Sequence, residues 1–137
     1  MVLEEPVSLV EMKNLKLVSL DGNYAICRLV AGMVSPEWSF GGPFYSITRT
    51  PDEISIICLH EQVPENIQCQ PGWRLLKIEG PFEFDEIGVL ASLTAPLADA
   101  QISLLTISTF DTDYILIQED NFPQAVHILA AAGHKID

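Results

Sequence analysis

Hydrophobic positions change their spacing along the chain, and the changes mark the elements. "WRLLKIEG" (73–80) is an apolar run fenced by Pro71-Gly72 and by Gly80-Pro81, which predicts a strand. From Glu86 the spacing turns helical: Ile87, Leu90, Ala91, Thr94, Leu97 and Ala98 recur at three- and four-residue intervals. Asp85 is placed to cap that helix, since its carboxylate can accept from the free amides of the first turn. Pro96 should kink or break it in its last turns. "ISLLTIST" and "DYILIQE" read as two adjacent strands, and "DNFPQAVHILAAAG" as a second helix. The inward stripe of that helix is Phe122, Ala125, Val126, Leu129, Ala130 and Gly133, with Asn121 or Asp120 as its cap. Pro123 falls in the first turn, where its missing N–H is harmless, and Gly133 is a natural stop. "HKID" begins a final short strand. The resulting β-α-β-β-α-β order is the split βαβ, ferredoxin-like arrangement, an α+β fold.

The first half is strand-rich. "LKLVSL" (15–20) and "NYAICRLV" (23–30) flank Asp21-Gly22, a hairpin signal, and "FYSITRT" (44–50) and "EISIICLH" (53–60) flank Pro51-Asp52. "SPEWSF" (35–40) suits a short helical turn, and "VPENIQCQPG" (63–72) a loop or brief turn. "TRTPDEISII" (48–57) lies over "ISTFDTDYIL" (107–116), which sets Thr50-Pro51-Asp52 over Thr109-Phe110-Asp111. The first half therefore reads as a shortened copy of the second, dividing the chain into units 1–70 and 71–137. Ile54 stands where the second copy has Asp113.

In such a sheet the first and third strands are antiparallel neighbours. The loop after "WRLLKIEG" and the cluster "STFDTD" (108–113) then fall at one sheet edge, together with the N-terminus of the first helix. Amides near Gly88 and Val89 could take a carboxylate there, and Glu86, Asp111 and Asp113 an ammonium or a cationic side chain. Thr109 and Phe110 add backbone groups and a wall. The plainer alternatives are dipole complementation by Asp85 and Glu86 and a simple Asx-type turn at Asp111 and Thr112. Asp113 resists the plainer reading, because it opens a strand that is otherwise heavily apolar.

Composition narrows the chemistry. A chain of 137 residues, 48% of them hydrophobic, can bury a core without staples. A net charge of −12 with only 7 basic residues argues against nucleic acid and against an anionic membrane surface. It biases binding toward cationic or zwitterionic ligands. Cys27, Cys58 and Cys69 cannot all pair within one chain, and they read as reduced core thiols from a reducing compartment. No CxxC occurs, and His60, His127 and His134 lack ligand spacing, so no metal or other cofactor is expected. The acidic N-terminus, interrupted by Pro6, is not a signal peptide, and the expectation is a soluble cytoplasmic protein. No G-x-S-x-G motif, Cys/His arrangement or phosphate-binding glycine loop accompanies the carboxylates, so catalysis is not expected.

"WRLLKIEGPFEFDEIGVLASLTAPLADAQISLLTISTFDTDYILIQEDNFPQAVHILAAAG" resembles an ACT domain, specifically the tandem-ACT branch of the eukaryotic cytosolic arginine sensors and small bacterial ACT proteins. "FYSITRTPDEISIIC" resembles that branch's first, degenerate unit. The resemblance implies a non-catalytic regulatory protein that binds a small molecule, an amino acid above all. It places ligand contacts at Glu86, Gly88, Val89, Thr109, Phe110, Asp111 and Asp113. It further implies a homodimer and a regulated protein partner. The alternative is a ligand-free interaction or dimerisation module of the same fold.

Overall fold

The computed structural model describes residues 14–79 and 88–137. Its strands are β1 (Lys16–Val30), β2 (Ser46–Arg49), β3 (Glu53–Leu59), β4 (Cys69–Ile78), β5 (Leu104–Ser108), β6 (Asp113–Gln118) and β7 (Lys135–Ile136). Its helices are α1 (Ala91–Asp99) and α2 (Phe122–Ala131), and single 3-10 turns lie at Glu37–Ser39, His60–Gln62 and Glu119–Asn121. The backbone separates into two compact units, one of Leu20–Arg74 and one that joins Leu75–Asp137 to the segment ending at Ser19. The boundary expected after residue 70 falls inside β4, and both β1 and β4 supply residues to each unit.

In the Leu20–Arg74 unit the strand order is β2-β3-β1-β4. β3 pairs antiparallel with β1 on one side, Cys27 opposite Ile56, and with β2 on the other, Ile47 opposite Ile56. Alternate residues face inward: Ile54, Ile56 and Cys58 pack with Ala25, Cys27 and Leu29. The 3-10 turns at Glu37–Ser39 and His60–Gln62 stand where a βαββαβ chain carries its helices, and Trp38 seals one edge of this core. The hairpin expected at Asp21-Gly22 does not form. β1 runs straight through it, because its start pairs with β7 while Tyr24–Val30 pairs with β3. Gly22 instead supplies a positive φ of 102° within the strand, with Leu59 packed so close that an added Cβ would lie 2.8 Å from its Cδ2. Pro71-Gly72, expected to precede a strand, likewise lies within β4.

The other unit keeps the expected β-α-β-β-α-β order from β4 to β7, with one addition. Its sheet order is β5-β6-β4-β1-β7. The start of β1 occupies the slot beside β4, where Glu79 N–H donates to Lys16 O at 2.9 Å. β7 then pairs parallel to β1, with Lys135 N–H on Leu15 O and Asp137 N–H on Leu17 O, both at 2.9 Å. Leu15, Leu17, Leu76, Ile78, Ile115 and Ile117 line one sheet face, and Leu93 and Leu97 of α1 with Ala125 and Leu129 of α2 cover it. The buried face of α1 runs through Leu93 and Leu97, so of the expected stripe Leu97 is in the core and Leu90, just ahead of the helix, packs against it, whereas Leu93 replaces the half-buried Ala91 and Thr94.

Pro96 does not break α1, which continues to Asp99. Proline has no N–H, so the carbonyl of Ser92, four residues back, loses its helical donor. His134 replaces it: Nε2 donates to Ser92 O at 2.8 Å, and Nδ1 accepts from Leu15 N–H at 3.0 Å. A backbone N–H can only donate, which assigns the two ring nitrogens. His134 is only 5% exposed, and its imidazole joins α1, the entry to β1 and the segment after α2. Gly133 stops α2 as expected, at φ 101°, with His134 N–H returning to Leu129 O at 3.1 Å. Gln101 stops α1 in the same left-handed way, at φ 62°, with Ile102 N–H on Leu97 O at 2.9 Å.

These contacts set two expected outcomes. His134→Ala strands two buried polar groups and should lower stability by ~2–4 kcal/mol. Adding Pro96→Ala should recover part of that loss, because the new N–H reaches Ser92 O; urea unfolding of the four proteins measures the coupling, and strict additivity would reject the replacement. Gln101→Gly should raise stability by ~1 kcal/mol, since a left-handed backbone penalises any side chain with a Cβ. An unchanged urea midpoint would show that no such strain is present.

Candidate functional site

The polar cluster forms a tight connection. Ser108 lies opposite Asp113 at the closed end of the β5–β6 ladder, which leaves Thr109–Thr112 as the turn. Thr109 N–H donates to Thr112 O at 2.7 Å. The Thr109 hydroxyl donates to the same oxygen at 3.1 Å and accepts from Thr112 N–H at 3.3 Å. Phe110 and Asp111 occupy the exposed tip, and Phe110 is 79% exposed.

The turn at the end of β2 repeats this arrangement and adds one bond, from Asp52 N–H to the Thr50 hydroxyl at 3.1 Å. Thr50 N–H donates to Glu53 O at 2.9 Å, and the Thr50 hydroxyl donates to that oxygen at 3.3 Å and accepts from Glu53 N–H at 3.1 Å. The overlay of Thr50-Pro51-Asp52 on Thr109-Phe110-Asp111 thus coincides with a shared backbone device. It also assigns the Thr109 hydroxyl to the turn, because Thr50 does the same where no acidic residue stands at the Asp113 position. The copies part at the next residue of the strand. Ile54 is fully buried, whereas Asp113 is half-buried and accepts a hydrogen bond from the Ser108 hydroxyl. That bond satisfies one carboxylate oxygen at the mouth of a strand whose next buried residues are Ile115, Leu116 and Ile117.

Thr112 anchors the turn to β4. Its side chain is buried, and its hydroxyl donates to the carbonyl of Ile78, the last residue of β4. The antiparallel neighbours therefore meet at the expected sheet edge. Past Ile78 the chain returns as Gly88, at φ 91°, and Val89, whose side chain is buried in the core that also holds Ile78 and Ile115. Only the backbone of Val89 can therefore serve a ligand. Ser92 N–H donates to Gly88 O at 3.0 Å and the Ser92 hydroxyl to the same oxygen at 2.6 Å. The amides ahead of Ser92 have no acceptor within the helix, the usual condition of a helix start. Glu86, and the Asp85 cap with it, lie outside the described residues. Asp111 is exposed at the turn tip.

Three contributors escaped the sequence reading: Ser108, which holds Asp113; Thr112, which pins the turn; and the Ser92–His134 pair, which fixes the first turn of α1 behind Gly88. A signal existed for the last. Pro96 deprives Ser92 of its helical hydrogen bond, and a buried acceptor needs a partner. Among the described residues no group of His, Cys, Asp and Glu is arranged to hold a metal. No helix among them is long and apolar enough to cross a membrane.

Residues 68–131 match the family model for the ACT domain. These residues belong to the ACT domain family. A separate model, describing an N-terminal domain, matches residues 22–66. A crystal structure of a protein from Agobacterium tumefaciens is 42% identical, with a TM-score of 0.86 over 91% of this chain and 93% of that one. The cytosolic arginine sensor for mTORC1 subunit 1 from Homo sapiens is 43% identical over 58 residues, which is 42% of this chain and 18% of the sensor. Its Mus musculus counterpart is 33% identical over 95 residues, 64% of this chain and 29% of the sensor. The chain thus spans less than a third of those relatives. An aspartate kinase from Clostridium acetobutylicum has the same fold at 11% identity, with a TM-score of 0.67 over 89% of this chain and 35% of the kinase. The ACT and ferredoxin-like assignment made from the sequence therefore stands.

The repeated turn makes a prediction of its own. Thr50→Ala and Thr109→Ala each remove the hydroxyl bonds that close a turn and should each cost ~1 kcal/mol in urea unfolding. A much larger loss for Thr109→Ala alone would give its hydroxyl a second role.

Proposed function

We propose that this ACT protein binds a small amino-acid effector without catalysing a reaction, and relays its presence to a partner protein. The observation that carries the reading is the placement of Asp113. A carboxylate opens an otherwise apolar strand beside the end of β4. The ligand's ammonium or cationic side chain would meet Asp113, with Asp111 and Glu86 adding negative charge. Its carboxylate would meet the amides at Gly88 and Val89. Thr109 and Phe110 would bound the site through backbone and ring. Similarity to an arginine sensor and to an aspartate kinase of the same fold supports a regulatory amino-acid binder; the identity of the amino acid rests with experiment. The Leu20–Arg74 unit would be a reduced companion copy, and a homodimer would supply a second set of paired units. The cytosolic relatives and the acidic composition support action in the cytoplasm.

One observation favours a second reading, a ligand-free docking module: Ser108 already satisfies an oxygen of Asp113, and Phe110 and Leu105 are exposed nearby. A thermal-shift screen with the twenty amino acids separates the two. A true effector should stabilise the fold by ~2.7 kcal/mol at a hundredfold excess over its Kd. Asp113→Ala should abolish that shift and Ser108→Ala should weaken it. A screen without any shift, or a shift that survives Asp113→Ala, would sink the proposed site.

A further inference from the structure

All three cysteines of the chain converge on one core. Cys27 of β1 and Cys58 of β3 are buried, Cys69 at the start of β4 is half-buried, and all three pack in the cluster built on Ile54 and Ile56. The strand register ranks the pairs. Arg28 N–H donates to Gln68 O at 3.0 Å, which places Cys69 directly across from Cys27 in a non-hydrogen-bonded antiparallel pair. Such pairs hold their Cα atoms ~4.5 Å apart, inside the range a disulfide spans. Cys58 lies opposite Ala25, while Cys27 lies opposite Ile56, so those two thiols are only diagonal neighbours. Diagonal Cβ atoms sit at roughly 7 Å, well beyond the ~4 Å a disulfide needs.

We propose that Cys27 and Cys69 form a peroxide-driven modification site, free thiols at rest and a cross-strand disulfide after oxidation. Cys69 is the entry point, since it alone of the three is not fully buried. Its thiolate attacks one oxygen of a hydroperoxide such as hydrogen peroxide; the O–O bond breaks, leaving a sulfenic acid on Cys69 and releasing water once the departing hydroxide is protonated. The sulfur of Cys27 then attacks the sulfenic sulfur. The S–S bond forms as the S–O bond breaks, and the Cys27 proton leaves with the hydroxide as a second water. Two thiols and one peroxide give one disulfide and two waters. Hydrogen bonding to Cys58, together with burial, pushes the Cys27 thiol well above its ordinary value, so Cys27 does not meet peroxide first and gives up its proton only as its sulfur attacks Cys69. The crosslink joins β1 to β4, the two strands that supply residues to both units.

The test is peroxide treatment of the full-length protein, alkylation of the remaining thiols, and mass spectrometry of intact and digested protein. The expected result is loss of two of three alkylatable thiols, a Cys27–Cys69 linked peptide, and Cys58 left free. Cys58→Ala should preserve the crosslink and Cys69→Ala should abolish it. Four results would overturn the proposal: a Cys27–Cys58 link, a dimer joined through Cys69, a sulfinic or sulfonic Cys69 without crosslink, or three thiols that remain alkylatable. Circular dichroism of each variant before treatment confirms that it is folded, so a missing crosslink reports chemistry rather than collapse.

Discussion

The second unit depends on one imidazole, because α1 carries a proline in its body and the carbonyl that proline abandons belongs to the buried Ser92. An unpaired buried acceptor there would weaken the helix that roofs the sheet. His134 supplies the donor from one side of its ring and, from the other, accepts the backbone N–H that leads into β1. The same ring therefore keeps a proline-bearing helix intact and ties an N-terminal strand into a sheet made otherwise of C-terminal residues. The hydroxyl of Ser92 extends the arrangement to Gly88, so the entry to α1 is fixed from within the core rather than by a surface cap.

That rigidity bears on how the proposed site would work. A pocket built on a loop alone would spend binding energy on ordering itself. Here the turn is locked by Thr109 and pinned to β4 by Thr112, and the start of α1 is separately held by Ser92 and His134. The two copies of the turn show which atoms belong to folding and which are left over. The threonine bonds recur in both, while the aspartate stands in only one. A feature shared by two copies is explained by what the copies share, the backbone turn. Asp113 has no such explanation.

Much of this was legible in the chain, and the failures have common causes. β2, β3, β5, β6 and α2 came through because each has a strong period or a clear stop, such as Gly133. The Asp21-Gly22 hairpin failed because turn chemistry is local, whereas β1 finds its partners at β7 and β3, both distant in sequence. The same blindness hid the insertion of β1 beside β4. The face of α1 was only partly found: Leu97 was on the expected stripe, but Leu93, which packs deepest with it, was not. At the site, short-range pattern found Asp113 and the turn but not Ser108, Thr112 or His134, whose roles exist only once strands are side by side. Pro96 was read as a disruption, when the informative question was which distant donor compensates for it.

The slot that β1 fills between β4 and β7 also dictates an order of events. Leu15 and His134 are 119 residues apart in sequence, yet they share a hydrogen bond at the centre of the unit. Contacts that distant form late, because the loop they close must lose its freedom before they return anything. The Leu20–Arg74 unit has all its strands in one stretch and can close early. The other unit receives its first strand from the ribosome long before the second of that strand's two partners, β7, exists. The start of β1 gains β4 on one side first, but its other side stays open through the synthesis of more than a hundred residues, until the arrival of His134 and β7 lets the sheet close around it.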